Sequence, residues 1–481
     1  MGRPVHRFDP EILLTRLGDA GPGGKLWVAF SGGLDSTALL HALHVLRDRL
    51  PGPLRAVHAN HGVHPRATDW QRHCAAVCTA LDVPLTVIGP PTKPGLDGSP
   101  EEGLRTWRYG RLEGLLADGD LLCTAHHLDD QAETLLLALL RGSGPAGLAA
   151  MPPSRALGDG TLVRPLLDVP RRQLQDWLAQ RGICWLEDPS NADLAPDRNY
   201  LRHEVLPRLR RRWPAVDQAL ATSARLCRET ADQLDEAADL ALAGREPAPG
   251  VLRLDGLVGD GPALRAVLRR WLRRHACVDL PRKRVDELER QLRSAATDRA
   301  IAVSWADHRL RHHRGLLWLD GPEAPPAVSS VQWPGTAPLP LGDTAGILLL
   351  ESLSREAQEA AAGAAPADRP EEAVGAAEAA PLTPPLTIRY RQPGDRLRAA
   401  PERPSRRLKK WFSASPLPPW LRGFVPIVGG RETVSAVGDV VLDADLAQRL
   451  RRSGRQLCWQ PANPGLAWAW DRCRASLLRL K

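Results

Sequence analysis

The sequence predicts an α/β fold in its N-terminal part, a parallel sheet flanked by helices, followed by α+β middle and C-terminal segments of basic character. Three observations carry this. Leu26 to Ala42, LWVAFSGGLDSTALLHA, reads as an apolar strand, a Gly-Gly turn and an amphipathic helix. From there to about residue 140, short apolar runs alternate with helix-length periodic runs, the pattern of right-handed βαβ units whose ligands sit at the carboxyl ends of the strands. A chain of 481 residues, carrying 64 Lys and Arg against 56 Asp and Glu, is also too long for one core.

Taken in order, Phe8 to Leu17 reads as a leading amphipathic helix and Leu26 to Phe30 as the first strand. The turn Ser31 to Asp35 and a helix from about Ser36 follow. Adjacent glycines let the backbone approach a ligand closely. The free N–H groups and positive dipole end of the helix attract an anion. Ser31, Gly32, Gly33, Leu34, Asp35 and Ser36 thus form a pyrophosphate cradle, with Asp35 placed to hold Mg²⁺ against phosphates. An ordinary strand-to-helix turn with a serine cap is the plainer alternative, and the full SGGLDS in its strand–turn–helix context outweighs it. The loop is neither GxxxxGK[ST] nor GxGxxG. It resembles the PP-loop of the ATP pyrophosphatases, which cleave ATP between its α and β phosphates.

The next strand, Leu54 to His58, precedes a helix over Ala67 to Leu81, and the strand Leu85 to Ile88 precedes a helix over Glu101 to Leu116. Then come a strand, Leu121 to Ala125, and a helix, Asp130 to Leu140. His58 and Asn60, behind the second strand, lie beside the cradle and suit contacts to adenine; a polar turn explains them equally well. Behind the Leu121 strand, HHLDDQAET puts Asp130 and Glu133 on one helical face, able to grip an ammonium group, with His126 at the strand end able to contact phosphate or move a proton. The same Asp-x-x-Glu also reads as a helix-capping box. Arg105 and Arg108 share a face with Glu101 and suit phosphates, although a solvated face is the commoner explanation of such a pattern. In Glu187 to Pro207, Asp188-Pro189-Ser190-Asn191 makes a turn, and Arg198, Asn199 and Arg202 open a helix whose basic leading face suits a phosphate backbone; a capped, solvated helix start is the alternative.

The middle region, Gly250 to Asp320, carries fifteen Arg and Lys against nine acids. It reads as a strand at Val251, helices over Leu264 to His275 and Val285 to Arg293, and a hairpin over Ile301 to Leu319. Ser354 to Pro385 is Ala-, Glu- and Pro-rich and buries too little to offset ordering entropy, so it predicts a flexible linker. Leu386 to Trp411 holds nine Arg and Lys against two acids. There Trp411 and Phe412 suit a small core, and Lys409 and Lys410 suit RNA. Arg449 to Lys481 fits no recognisable pattern. The expected divisions are 1–212, 213–325, the linker 354–385, and 386–460.

The eight cysteines are scattered, several in apolar stretches, as in reduced cytosolic proteins. Neither a signal-type apolar segment nor a bilayer-length run is seen, so a cytoplasmic location without membrane contact is expected.

SGGLDS, VHANHGVHPRA, Arg105-x-x-Arg108-Tyr109, HHLDDQAETLLLALLRGSGPAGLAAM, Arg164-Pro165-Leu166-Leu167 and WLEDPSNADLAPDRNYLRHEVLP together resemble the tRNA(Ile)-lysidine synthetase family. The resemblance covers about the first 210 residues and resumes at RYRQPGDRLR and SRRLKKWFSASPLPPWLRGFVPIV. It implies an adenine nucleotide hydrolase-like PP-loop domain that uses ATP and Mg²⁺. It implies a ligase joining L-lysine to C2 of the wobble cytidine of CAU-anticodon tRNA(Ile) through an adenylated intermediate, with release of pyrophosphate and AMP. Asp35, His126, Asp130, Glu133, Arg105 and Arg108 would then serve catalysis and lysine binding. Arg198, Asn199, Arg202, Arg269, Arg273, Arg396, Lys409 and Lys410 would serve tRNA binding, and dimerisation is an option the sequence leaves open. Related tRNA thiolases generally use a reactive cysteine pair or an iron–sulfur cluster, often with C-x-x-C, and no C-x-x-C occurs here. A relict, non-catalytic RNA-binding fold is at odds with the intact Asp35, Asp130 and Glu133.

Overall fold

The computed structural model describes residues 7–18, 21, 23–60, 62, 65–89, 100–189, 193–259, 261–275, 282–294, 301–306, 308–320, 330–353, 381–398, 405–430 and 433–478. The chain divides into two compact units, residues 1–234 and 235–481.

The first unit is built on strands β1 (Leu26–Ala29), β2 (Leu54–Ala59), β3 (Leu85–Ile88), β4 (Leu121–Cys123), β5 (Ser154–Leu157) and β6 (Gly160–Val163), in the spatial order β3-β2-β1-β4-β6-β5. All neighbours run parallel except the edge strand β5, which pairs antiparallel with β6. Alternate side chains explain why the first strand reads as continuously apolar. Leu26, Val28 and Phe30 enter the core on one face, while Trp27 joins Leu112, Leu116, Leu122 and Leu162 on the other. A parallel sheet covered on both faces demands this. Asp120 locks the strand starts: it accepts from the backbone N–H groups of Lys25 (2.8 Å) and Ala117 (3.2 Å) and from the Trp27 indole (3.0 Å).

The strand order reverses between β1 and β4. Connections from β1 proceed outward to β2 and β3, then return to β4 on the other side, which opens a crevice at the carboxyl ends of β1 and β4. Helices α1 (Leu34–Val45), α2 (Ala67–Ala80), α3 (Pro100–Glu113) and α4 (Leu128–Leu140) match the expected elements, with α1 and α4 each starting two residues early. The expected leading helix is a 3₁₀ turn, Pro10–Leu13, continued by one α-turn, Leu14–Leu17. The β5–β6 hairpin and α5 (Arg171–Ala179) were not foreseen. Beyond them, Asp197–Tyr200 runs through a π-helical turn, Leu201–Val205, into Leu206–Arg212, and the long α6 (Val216–Leu242) follows.

In the second unit, β7 (Val251–Arg253), β8 (Ile301–Trp305), β9 (His308–His313) and β10 (Leu316–Asp320) form an antiparallel sheet ordered β7-β10-β9-β8. The expected hairpin is therefore a three-stranded meander. Helices α7 (Gly261–Arg274) and α8 (Arg282–Ser294) share with it a core of Leu264, Leu268, Trp271, Leu288, Leu310 and Leu317.

A second core centres on Trp459, Trp470 and Phe412 and draws in Trp333 and Leu348 from before the linker. It therefore reaches beyond 386–460 on both sides. Leu386–Tyr390 pairs with Val331–Trp333, and Ile347–Ser352 with Arg455–Gln460, a strand in the stretch whose sequence fitted no pattern. The linker expected over 354–385 lies outside the described residues up to 380. Within RYRQPGDR, Arg389 and Asp395 form a buried bidentate ion pair, 2.8 and 3.0 Å. Among the described residues, no helix is long and apolar enough to cross a membrane.

Candidate active site

Gly32 adopts φ +84°, and a Cβ there would lie 3.0 Å from both Cys74 Sγ and Leu186 Cδ1. Conformation and space both require glycine at this corner. The Ser36 hydroxyl donates to the Gly33 carbonyl (3.1 Å), accepts from the Ser31 amide (3.2 Å) and shares a hydrogen bond with the Ser31 hydroxyl (3.0 Å). Leu186 N–H donates to the Gly32 carbonyl, binding the loop to the chain beyond α5. The loop is thus held open by its own side chains in front of the N-terminus of α1. Leu34 is buried in the core, so its contribution to an anion site is its backbone.

Asp35, in the first turn of α1, points across the crevice. Its Oδ1 lies 3.1 Å from Arg171 Nε and 3.5 Å from His127 Nε2. His127, not Asp130, is the N-cap of α4. Its Nδ1 accepts from Asp130 N–H, and Asp130 Oδ2 accepts from His127 N–H (3.0 Å). The expected Asp130–Glu133 capping box is corrected accordingly: with the helix beginning at Leu128, Asp130 is the third residue of the box and Glu133 lies a turn further in.

The two adjacent histidines are driven in opposite directions. Burial, aided by Arg164, Arg198 and Arg105, pushes His126 down to about 4 against the pull of Asp130. Burial also opposes charge on His127, but Asp130, Asp35 and Asp129 override it and raise its pKa above the usual histidine value. As the pH falls from 6.5 towards about 4, the unfolded chain takes up a proton that folded His126 refuses, so this site loses stability. His127 contributes stability that is full below 6.5 and is lost as the pH rises through its raised folded pKa. NMR titration is expected to show His126 neutral down to about pH 4 and a His127 midpoint above 6.5; protonated, His127 no longer accepts at Nδ1, and the cap then rests on the bond from its N–H to the Asp130 carboxylate. His126→Asn is expected to lessen the acid-side loss of thermal stability.

Glu133 is fully buried and is enclosed by Arg198 Nε (2.7 Å) and by Arg202 Nε (2.6 Å) and Nη2 (2.9 Å). The same arginines reach Asp130 Oδ1 at 3.1 and 3.2 Å. Arg198 and Arg202, expected to face an RNA backbone, therefore turn inward. Two buried carboxylates need counter-charges that solvent cannot supply. The π-helical turn at Leu201–Val205 carries Arg202 and directly follows the turn that carries Arg198, so the segment is irregular where both side chains reach Asp130 and Glu133. Burial works against charge on Asp130, but His127, Arg198 and His126, together with the His127 backbone N–H, hold its pKa below the usual carboxylate value, with His127 the strongest of the charge partners.

Asp129, Arg171 and Arg210 were missed. Asp129 accepts from Arg171 N–H (2.9 Å) and from Arg210 Nη2 (2.7 Å), and Arg210 also clasps Asp217. Asp129 is visible in HHLDDQAET, but its partners lie 42 and 81 residues away, beyond any local periodicity.

His58 is buried, its Nδ1 2.9 Å from the Phe30 carbonyl, and burial lowers its pKa. Asn60 spends its amide on Gln71 (2.8 Å) and its carbonyl on Gly62 N–H, so its side chain shapes the turn after β2. His61, Ser190 and Asn191 lie outside the described residues, as does the side chain of Glu101. Asn199 donates to the Asp193 carbonyl, closing a local turn. Arg105 is exposed and Arg108 half-buried, both against the Tyr109 ring.

In the second unit, Arg273 faces Asp235 (3.5 Å), while Arg270 and Arg274 bind Asp239. The expected basic stripe is thus partly paired by α6, while Arg269, Arg273 and Arg274 remain exposed. Arg396 bonds Ser405. Lys409 and Lys410 are exposed on α9 (Leu408–Ala414), whose Phe412 is core and whose Trp411 packs on it, as the sequence suggested.

The model of the PP-loop domain matches residues 12–209, that of the TilS substrate binding domain residues 252–318, and that of the TilS substrate C-terminal domain residues 386–459. Similar proteins include the tRNA(Ile)-lysidine synthase of Methylococcus capsulatus, 41% identical over 424 residues that cover 87% of this chain and 92% of the relative. The tRNA(Ile)-lysidine synthase of Xanthomonas campestris pv. campestris is 36% identical over 92% of this chain and 97% of its own length. That of Salmonella typhimurium is 38% identical over 90% and 96%.

Proposed function

The chain belongs to the tRNA(Ile)-lysidine synthase family, ligases of tRNA modification with an ATP-binding PP-loop domain, and we propose that it joins L-lysine to C2 of the wobble cytidine of CAU-anticodon tRNA(Ile). The observation that carries this reading is the convergence, at the carboxyl ends of β1 and β4, of the Ser31–Ser36 loop, Asp35 and the Asp130–Glu133–Arg198–Arg202 quartet. An anion site and a charged amino-acid site would then share one crevice.

In this reading the cytidine 2-oxygen attacks the α-phosphorus of ATP and pyrophosphate departs. The ε-amine of lysine attacks C2, the C2–O bond breaks with loss of AMP, and the amine gives up a proton. The loop's N–H groups and the α1 terminus stabilise charge gathering on the phosphates. Mg²⁺ suits Asp35: both of its ionic contacts fall on Oδ1, and Mg²⁺ takes one or two carboxylates together with phosphate oxygens. Among the described residues no set of three His, Cys, Asp or Glu is grouped to hold a metal alone. The ion, when bound, neutralises phosphate charge. Asp130, held anionic, orients the lysine ammonium as a hydrogen-bond acceptor and is too weak a base to strip it. Arg198 and Arg202 instead favour the neutral amine, since like charges lower the pKa of an ammonium. No protein nucleophile is needed.

The test is incubation of purified protein with ATP, labelled lysine and transcripts of tRNA(Ile) and elongator tRNA(Met), both bearing CAU. Label in tRNA(Ile) alone is expected; label in neither would refute the reading. Lys409 and Lys410, exposed and among like charges, supply affinity to RNA phosphates in the same reading. Replacing both with alanine should flatten the slope of log K against log salt by about 1.4–1.8, as expected for two lost phosphate contacts, with the rate at saturating tRNA preserved.

A further inference from the structure

Beyond the quartet, the crevice edge of the first unit holds a second group of cations. Tyr109, near the end of α3, has the guanidinium carbons of Arg105, Arg108 and Arg155 at 5.2, 5.6 and 5.3 Å from its ring centroid. Arg164, immediately after β6, interacts electrostatically with the Tyr109 side chain and is 5% exposed. Its Nη1 donates to the Pro152 carbonyl (2.8 Å), while its Nε is buried without a hydrogen-bond partner. Among the described residues, no carboxylate lies within salt-bridge distance of any of these four arginines.

This is costly for a folded protein. Like charges crowd one ring, one of them is buried, and a buried donor is left unsatisfied. Burial and the neighbouring arginines pull the pKa values of Arg108 and Arg164 down, opposed in part by Tyr109. The arrangement contrasts with the quartet, where every arginine meets a carboxylate. Charge of this kind is compensated by a ligand, and the planar forks of several arginines around one point suit phosphate oxygens.

We propose that Arg105, Arg108, Arg155 and Arg164, gathered by Tyr109, form a phosphate subsite for the RNA backbone next to the target nucleotide; this rests on the function proposed above. Arg155 and Arg164 are new to the site. Two features favour an RNA phosphodiester over the phosphates of ATP. Arg155 stands on β5, separated from β1 by β4 and β6, three strand spacings or about 14 Å away. Arg155 on β5 and Arg164 directly after β6 also lie on the side of β1 away from β2 and β3. Arg105 and Arg164 are nonetheless close enough to His126 to depress its pKa, so an anion held here borders the reacting centre.

The experiment uses the full chain with Arg155→Ala and Arg155→Lys, since Arg155 is exposed on an edge strand and its loss should leave folding intact, as thermal melting would verify. Affinity for tRNA(Ile) is measured across salt concentrations, together with KM for ATP. Arg155→Ala is expected to weaken tRNA binding about tenfold and to flatten the salt slope by about one. Arg155→Lys should restore most of the slope, and KM for ATP should stay at the wild-type value. Unchanged tRNA affinity and slope in an active protein would overturn the subsite while leaving the proposed function standing. A raised KM for ATP with normal tRNA binding would assign the group to the nucleotide and likewise overturn it. A wild-type protein that neither binds tRNA(Ile) nor incorporates lysine would overturn both.

Discussion

Glu133→Gln is expected to cost about 3–5 kcal/mol of stability in the first unit, the range for removing one partner of a buried charge pair. Glu133 is the most enclosed carboxylate of the site and faces two arginines at once. Without its charge Arg198 and Arg202 keep only Asp130, and the segment Asp197–Arg212 loses its main tie to α4. Lysine incorporation should fall with stability. Asp130→Asn separates the two effects. Its side-chain oxygen still accepts from His127 N–H, so the cap survives and the loss of stability should be the smaller. The missing charge should still weaken lysine use about ten- to a hundredfold, corresponding to one charge-assisted hydrogen bond. Urea unfolding and initial rates across lysine concentrations provide the check. A Glu133→Gln protein of wild-type stability would show that the quartet is not closed in solution.

Asp35→Ala should lower adenylation about a hundred- to a thousandfold or more while leaving tRNA affinity nearly unchanged, because in the proposed reaction the residue acts where charge builds on phosphate. Its removal also takes one of three carboxylates from His127, so the raised pKa of that histidine should fall. The two readouts are pyrophosphate release and the His127 NMR titration. Normal pyrophosphate release would remove Asp35 from the phosphate chemistry. An unmoved His127 would show that Asp130 and Asp129 alone set its charge.

Local patterns carried the sequence reading a long way. Strand–turn–helix periodicity placed β1, the Ser31–Ser36 loop and α1, because those residues interact with near neighbours in the chain. The same holds for the carboxylates of α4, where Asp130 and Glu133 share a face. Which partners those carboxylates meet was not legible. Arg198 and Arg202 lie 65 to 72 residues from Asp130 and Glu133, and their basic helix start looked like a surface for RNA. Sequence shows the charge of a residue but not its direction, and burial decides that arginines beside buried acids turn inward. Arg270, Arg273 and Arg274 likewise meet distant acids, Asp235 and Asp239 of α6, although these pairs stay at the surface. The β5–β6 hairpin was passed over because its four-residue strands carry Ser154 and Arg155 on an exposed edge, so no apolar run announces them.

In the proposed reaction one crevice first adenylates the RNA base and then exchanges AMP for lysine. A pulse–chase tests it directly. The protein is incubated with tRNA(Ile) and ATP labelled at the α-phosphate, without lysine, and the RNA is isolated; unlabelled lysine is then added. Label is expected on the tRNA during the pulse and is expected to leave as AMP when lysine arrives, in proportion to lysine incorporated. Lysine joined to tRNA with no labelled RNA ever trapped, or labelled RNA that lysine leaves untouched, would contradict it.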